Sequence, residues 1–173
     1  MKCSIGYSET KVMITYEDLQ QEAKSAADRN FEYIEVLRKH VRNFIDLYWQ
    51  SLNVPGAPTF QDWNGNEERI ITLGNVENGK FVKKYLHEFQ VNDKFELPVI
   101  VKTIIKTDSI QSPWVTVPLV VKEEGGKVRF VIGGSDDATT CNIPAGDDIQ
   151  VYSEAAELMK SIIVKMIKRT APQ

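Results

Sequence analysis

Proton transfer, thiol chemistry and metal binding each need particular side chains, and this chain holds few of them. His40 and His87 are its only histidines, Cys3 and Cys141 its only cysteines. Counting by two along residues 80–91 puts Phe81, Lys83, Tyr85, His87, Phe89 and Val91 on one strand face. A histidine in such a row becomes a general base when a carboxylate orients its ring, with Tyr85 as its neighbour. The competing reading is a structural, hydrogen-bonded histidine. His40 lies on a long amphipathic segment, facing solvent or an interface.

The stretch GGSDDATTCNIPAGDD at 133–148 gathers four aspartates and Cys141. A calcium loop needs oxygen ligands at its first, third and fifth positions and glycine at the sixth. Counted from Asp136 those later places hold Ala138, Thr140 and Cys141; counted from Asp137 they hold Thr139, Cys141 and Asn142. Both registers fail, so the stretch reads as a connection and no metal site is expected. Two distant cysteines make neither a zinc knuckle nor a disulfide framework. GNVENGKF at 74–81 imitates a phosphate-binding loop until Phe81 replaces the required Ser or Thr, so it reads as a hairpin built on Asn78-Gly79. No nucleophile elbow, zinc-protease helix or dinucleotide glycine pattern occurs, and no cofactor is expected.

The elements that would carry these residues follow from periodicity. Thr15 is a helix N-cap signal, with Glu17 and Asp18 suited to the first turn. Apolar or small residues then recur at three-four spacing from Leu19 to Leu52, interrupted at Asn30. A helix over 16–52 would span roughly 55 Å, against a diameter of about 40 Å for a compact chain of this size. It must bend, split near Asp28–Asn30, or carry an apolar stripe that a partner covers. Prolines and glycine at 54–58 stop it. Strands are expected at 69–75, 80–91, 94–106, 114–122 and 127–132, then a helix at 153–169 capped by Ser153. Short links make the strands antiparallel neighbours. The expected fold is α+β in one domain over 1–173: a long N-terminal helix, a five-stranded antiparallel meander over 69–132 and a C-terminal helix, with both helices on one sheet face.

The chain's 173 residues, 42% hydrophobic and 26% charged, suffice for one cored domain. Its formal charge of −3 argues against a nucleic-acid partner. Without an apolar leader, a membrane-length apolar run or an Asn-x-Ser/Thr acceptor, the expectation is a cytoplasmic protein off the membrane.

Two segments carry a resemblance. VRNFIDLYWQSL with its proline-glycine break, and WVTVPLVVKEEGGKVRFVIGG with its glycine turn, resemble the helix entry and closing hairpin of the nuclear-transport-factor-like superfamily. The resemblance implies a curved sheet folded around a helix as a cone, in a superfamily of enzymes, ligand binders and interaction modules. Val128 stands where a tryptophan often follows the turn, and the C-terminal helix is an addition. No catalytic residue is carried over.

The leading functional expectation is a non-enzymatic protein-binding module, such as an inhibitor, immunity-type or regulatory subunit. It would form a homo- or hetero-oligomer through the long helix. Trp63, in the polar loop QDWNGNEE, and His40, Tyr48 and Trp49 on that helix are the expected contact residues. The alternative is a cone-shaped small-ligand binder or enzyme with a pocket around Tyr85 and His87.

Overall fold

The computed structural model describes residues 13–62, 64–105 and 113–170. In chain order these form α1 (Tyr16–Leu52), β1 (Thr59–Gln61), β2 (Glu67–Arg69), β3 (Ile71–Glu77), β4 (Lys80–Lys83), β5 (Leu97–Ile104), β6 (Trp114–Glu124), β7 (Lys127–Ile132), β8 (Thr139–Ile143) and α2 (Ser153–Thr170). The fold is α+β with antiparallel pairing throughout. No helix among the described residues is long and apolar enough to cross a membrane.

The chain divides into two units between Tyr33 and Ile34. In the first, Thr15 caps α1: its Oγ1 accepts the Asp18 N–H at 3.2 Å, and its own N–H donates to the Asp18 carboxylate at 2.8 Å. The Thr15 N–H, and after it the Thr15 hydroxyl donating to the same carboxylate at 2.7 Å, hold the Asp18 carboxyl below its ordinary range. α1 runs unbroken past Asn30. No described residue before Ile34 is buried, and Tyr16, Leu19 and Phe31 are all more than half exposed.

In the second unit the three-four spacing of Ile34, Leu37, Val41, Phe44 and Tyr48 makes a buried, mainly apolar stripe. It meets a sheet whose strand order is β4-β3-β5-β6-β7-β8. Inward residues of the central strands are Leu97, Val99, Val101, Val117, Leu119, Val121, Phe130 and Ile132, all at most 1% exposed. Phe130 takes the Phe44 ring edge-on at 5.4 Å between centroids and the Tyr152 ring at 5.9 Å, so α1 and the turn leading into α2 share one sheet face. Each buried side chain of this size stabilises the fold by about 1.5–3 kcal/mol. α2 adds Ala155, Ala156, Met159, Ile162 and Ile163. Its entry is capped one turn earlier than Ser153: the Asp148 carboxylate accepts the Gln150 N–H at 2.9 Å, opening the 3-10 turn Ile149–Tyr152.

Three expectations about the sheet are corrected. First, it has six strands, not five, because 133–148 is more than a connection. Gly133 turns the chain at φ 104°, and β8 then pairs with β7 through Phe130 and Cys141. Cys141 and Ile143 point inward and are buried, an alternation that the surrounding aspartates and glycines obscured. Second, a separate two-stranded ribbon, β1 with β2, occupies the segment read as loop. Asp62 builds its turn, its Oδ1 accepting the N–H groups of Asn64 and Asn66 at 2.8 Å each. Third, the order is not a plain meander. The strand expected over 80–91 stops at Lys83, because the Glu88 carboxylate accepts the Tyr85 N–H at 2.6 Å and closes the 3-10 turn Leu86–Glu88. The nearly buried Arg38 guanidinium pins that turn to α1, donating to the carbonyls of His87 and Phe89 at 2.6 Å each. The chain therefore leaves β4 at the sheet edge and returns as β5 against the other side of β3.

Candidate functional site

Period two assigns alternate residues of β5, β6 and β7 to the face away from the helices. Register places Pro98 opposite Val120, Ile100 opposite Pro118, Lys102 opposite Thr116, and Val120 opposite Val131. None of these outward residues is buried, although their inward neighbours are almost completely covered. The result is a solvent-accessible row of aliphatic side chains on the middle of a sheet. Pro118 stays paired with Ile100 of β5 but has no N–H to give β7; its carbonyl alone bonds there, accepting the Gly133 N–H at 2.9 Å where the β6–β7 register ends.

An aromatic frame stands at one end of the row. Gly74 leaves the face bare, and the Phe81 ring lies over it: a Cβ on Gly74 would sit 2.6 Å from Phe81 Cζ. Thr72, Lys102 and Thr116 are directly opposed across three strands, with Trp114 diagonal to Lys102. The Lys102 ammonium lies 5.6 Å from the Phe81 ring centre and 5.0 Å from that of Trp114, within cation–π range of both. Trp114 is 54% exposed. At the other end the outward cations are matched. Lys122 lies 3.9 Å from Glu96 and 3.7 Å from Glu124, and Arg129 lies 3.1 Å from Glu124. Among the described residues no carboxylate pairs with Lys102.

The residues singled out from sequence are scattered. Tyr85 and His87 sit on the 3-10 turn, both exposed and stacked at 5.9 Å, with Lys83 Nζ 5.7 Å from the Tyr85 ring centre. The turn also separates them from Phe89, which is buried. They do not line the cleft of about 280 Å³ between the end of α1 and the start of α2, which is bounded by Gln50, Ser51, Gln150, Ser153 and Glu157 among others. His40 is half-buried, its Nδ1 2.6 Å from the Tyr152 hydroxyl. Burial, followed by the charge of Lys39, holds its imidazole below the ordinary value, with Glu123 opposing. Tyr48 is 0% exposed and shares a hydrogen bond of 3.0 Å with the Thr103 hydroxyl, so it belongs to the core. Burial raises its phenol above the usual value. Trp49 is half-exposed near the end of α1. Trp63 lies outside the described residues.

Of the 133–148 aspartates, Asp137 is taken up by Arg169, whose guanidinium donates to both carboxylate oxygens at 2.5 and 3.0 Å. Cys141 faces the core, where burial and then Glu154 push its thiol up to about 11. Among the described residues no three His, Cys, Asp or Glu side chains group as metal ligands. The sequence did hold a signal for the outward face. LPVIVKTI and TVPLVV are apolar on both sides of the pleat, the pattern of a sheet covered twice.

Comparison with known proteins gives no matching family model, no matching curated protein and no matching solved structure.

Proposed function

We propose that this chain is a protein-binding module that docks its partner on the outward sheet face, as an inhibitor, immunity-type or regulatory subunit would. One observation carries the reading: Ile100, Pro118, Val120 and Val131 form a continuous aliphatic row that stays accessible in the middle of the sheet. An apolar patch edged by aromatic and charged side chains is the ordinary form of an interaction surface. Phe81 and Trp114 are the side chains suited to anchor it. The dispersed positions of His40, His87 and Cys141 favour binding over catalysis.

The test is capture from native lysate of the source cells on immobilised protein. Val120→Glu, which places a charge at the centre of the row, should lose the retained partner while melting within a few degrees of the parent. Leu19→Glu, on the exposed part of α1, should keep it. Capture unaffected by Val120→Glu but abolished by Leu19→Glu would move the contact to the long helix and overturn this assignment.

A further inference from the structure

Resting on that reading, we infer that Lys102 is the point at which an acidic segment of the partner protein seats a carboxylate. Three features of the face lead there. Its other central cations, Lys122 and Arg129, are already matched by Glu96 and Glu124, whereas among the described residues Lys102 meets the faces of Phe81 and Trp114 and no carboxylate. Two rings hold the ammonium in place, so an arriving anion finds it positioned and pays little to order it. Thr116 stands opposite it in register, offering a hydroxyl donor to the same oxygen atoms, while the Thr72 hydroxyl donates to the Arg69 carbonyl at 3.5 Å.

The neighbouring row decides between anions. An extended segment whose carboxylate reaches Lys102 lays the side chains two and four residues on over Ile100, Pro118 and Val120, which take aliphatic groups. A nucleic-acid strand would instead carry its phosphates toward Glu96 and Glu124. The occupant is therefore an extended peptide segment with one acidic residue and aliphatic residues two and four places on, so that all three face the sheet.

The probe is the capped peptide Glu-Ser-Leu-Ser-Val, its Gln-Ser-Leu-Ser-Val counterpart, and oligothymidylate, each titrated into the full ¹⁵N-labelled chain and followed by amide and indole shifts. The acidic peptide should give saturable shifts at Lys102, Thr116 and the Trp114 indole. The glutamine peptide should bind about fivefold more weakly, the ordinary size of one or two exposed charge contacts. Lys102→Gln should bring the acidic peptide down to the same level, and Lys102→Arg should retain it. Equal binding of both peptides overturns the carboxylate contact while leaving the docking face standing. Shifts from oligothymidylate in place of the peptides overturn both. No shift from any probe at millimolar concentration overturns the inference alone, since the Val120→Glu capture result is read separately.

Discussion

Gly74→Ala tests how the aromatic frame is built. The added carbon would lie 2.2 Å from the Val82 carbonyl oxygen and 2.6 and 2.8 Å from Phe81 Cζ and Cε2. A relaxed carbon–oxygen contact is about 3.3 Å or more, so the methyl intrudes by roughly 1 Å. The Phe81 ring can rotate away, because it hangs at the end of a side chain. The Val82 carbonyl cannot, since it belongs to the backbone of β4 and moves only with that strand. Overpacking of this kind costs about 1–3 kcal/mol, and β4, a four-residue edge strand, yields more readily than an interior one. A loss of about 2 kcal/mol corresponds to a Tm decrease of roughly 4–8 °C for a chain this long. Circular dichroism melts of the parent, Gly74→Ala, Phe81→Ala and the double variant separate the two obstacles. If the strand carbonyl is the obstacle, removing the ring gives no relief and the double variant melts no higher than Gly74→Ala. Full recovery in the double variant, or a Gly74→Ala melt within 1 °C of the parent, would falsify this reasoning.

Two further outcomes follow from polar groups inside the fold. Tyr48→Phe and Thr103→Val each strand a buried hydroxyl and should each cost about 1–2 kcal/mol; the pair together should cost less than the sum by about 1 kcal/mol in urea melts, showing that the two groups answer each other. His40 is held below its unfolded value of 6.5, so above that pH both states are neutral and its contribution is fully present. As pH falls from 6.5 toward the lowered folded value, the unfolded chain takes the proton first and stability declines across that window. Urea melts at pH 7.5, 6.5 and 5.5 should show that decline reduced in His40→Gln, and an unchanged pH slope would count against the half-buried placement of the ring.

Sequence periodicity located what is periodic. α1 with its Thr15 cap, the Asn78-Gly79 hairpin, β5, β6 and β7 all carry either three-four or alternating patterns long enough to read. β8 escaped because its inward residues are only Thr139, Cys141 and Ile143, set among residues that elsewhere make turns. β4 was read too long because Tyr85, His87 and Phe89 continue an alternation that one side-chain bond from Glu88 interrupts. Pairing of β5 with β3 rests on contacts between distant residues, such as Arg38 with the carbonyls of His87 and Phe89, which no local pattern records. The outward face was legible as composition and not as exposure. A strand apolar on both sides announces two layers above and below it, and only the fold shows which side is left open.

The order in which the core is synthesised follows from where its halves lie in the chain. The stripe from Ile34 to Tyr48 leaves the ribosome well before the strands that cover it, the last central one ending at Ile132. At about 5–20 residues per second, roughly 4–17 s separate the two. For nearly all of that interval Phe44 has no Phe130 to meet, and for about the first two thirds of it Tyr48 has no Thr103. A nascent α1 therefore presents a greasy helix to the cell before it has a sheet to rest on, and chaperones that recognise such helices have their opportunity here, during translation.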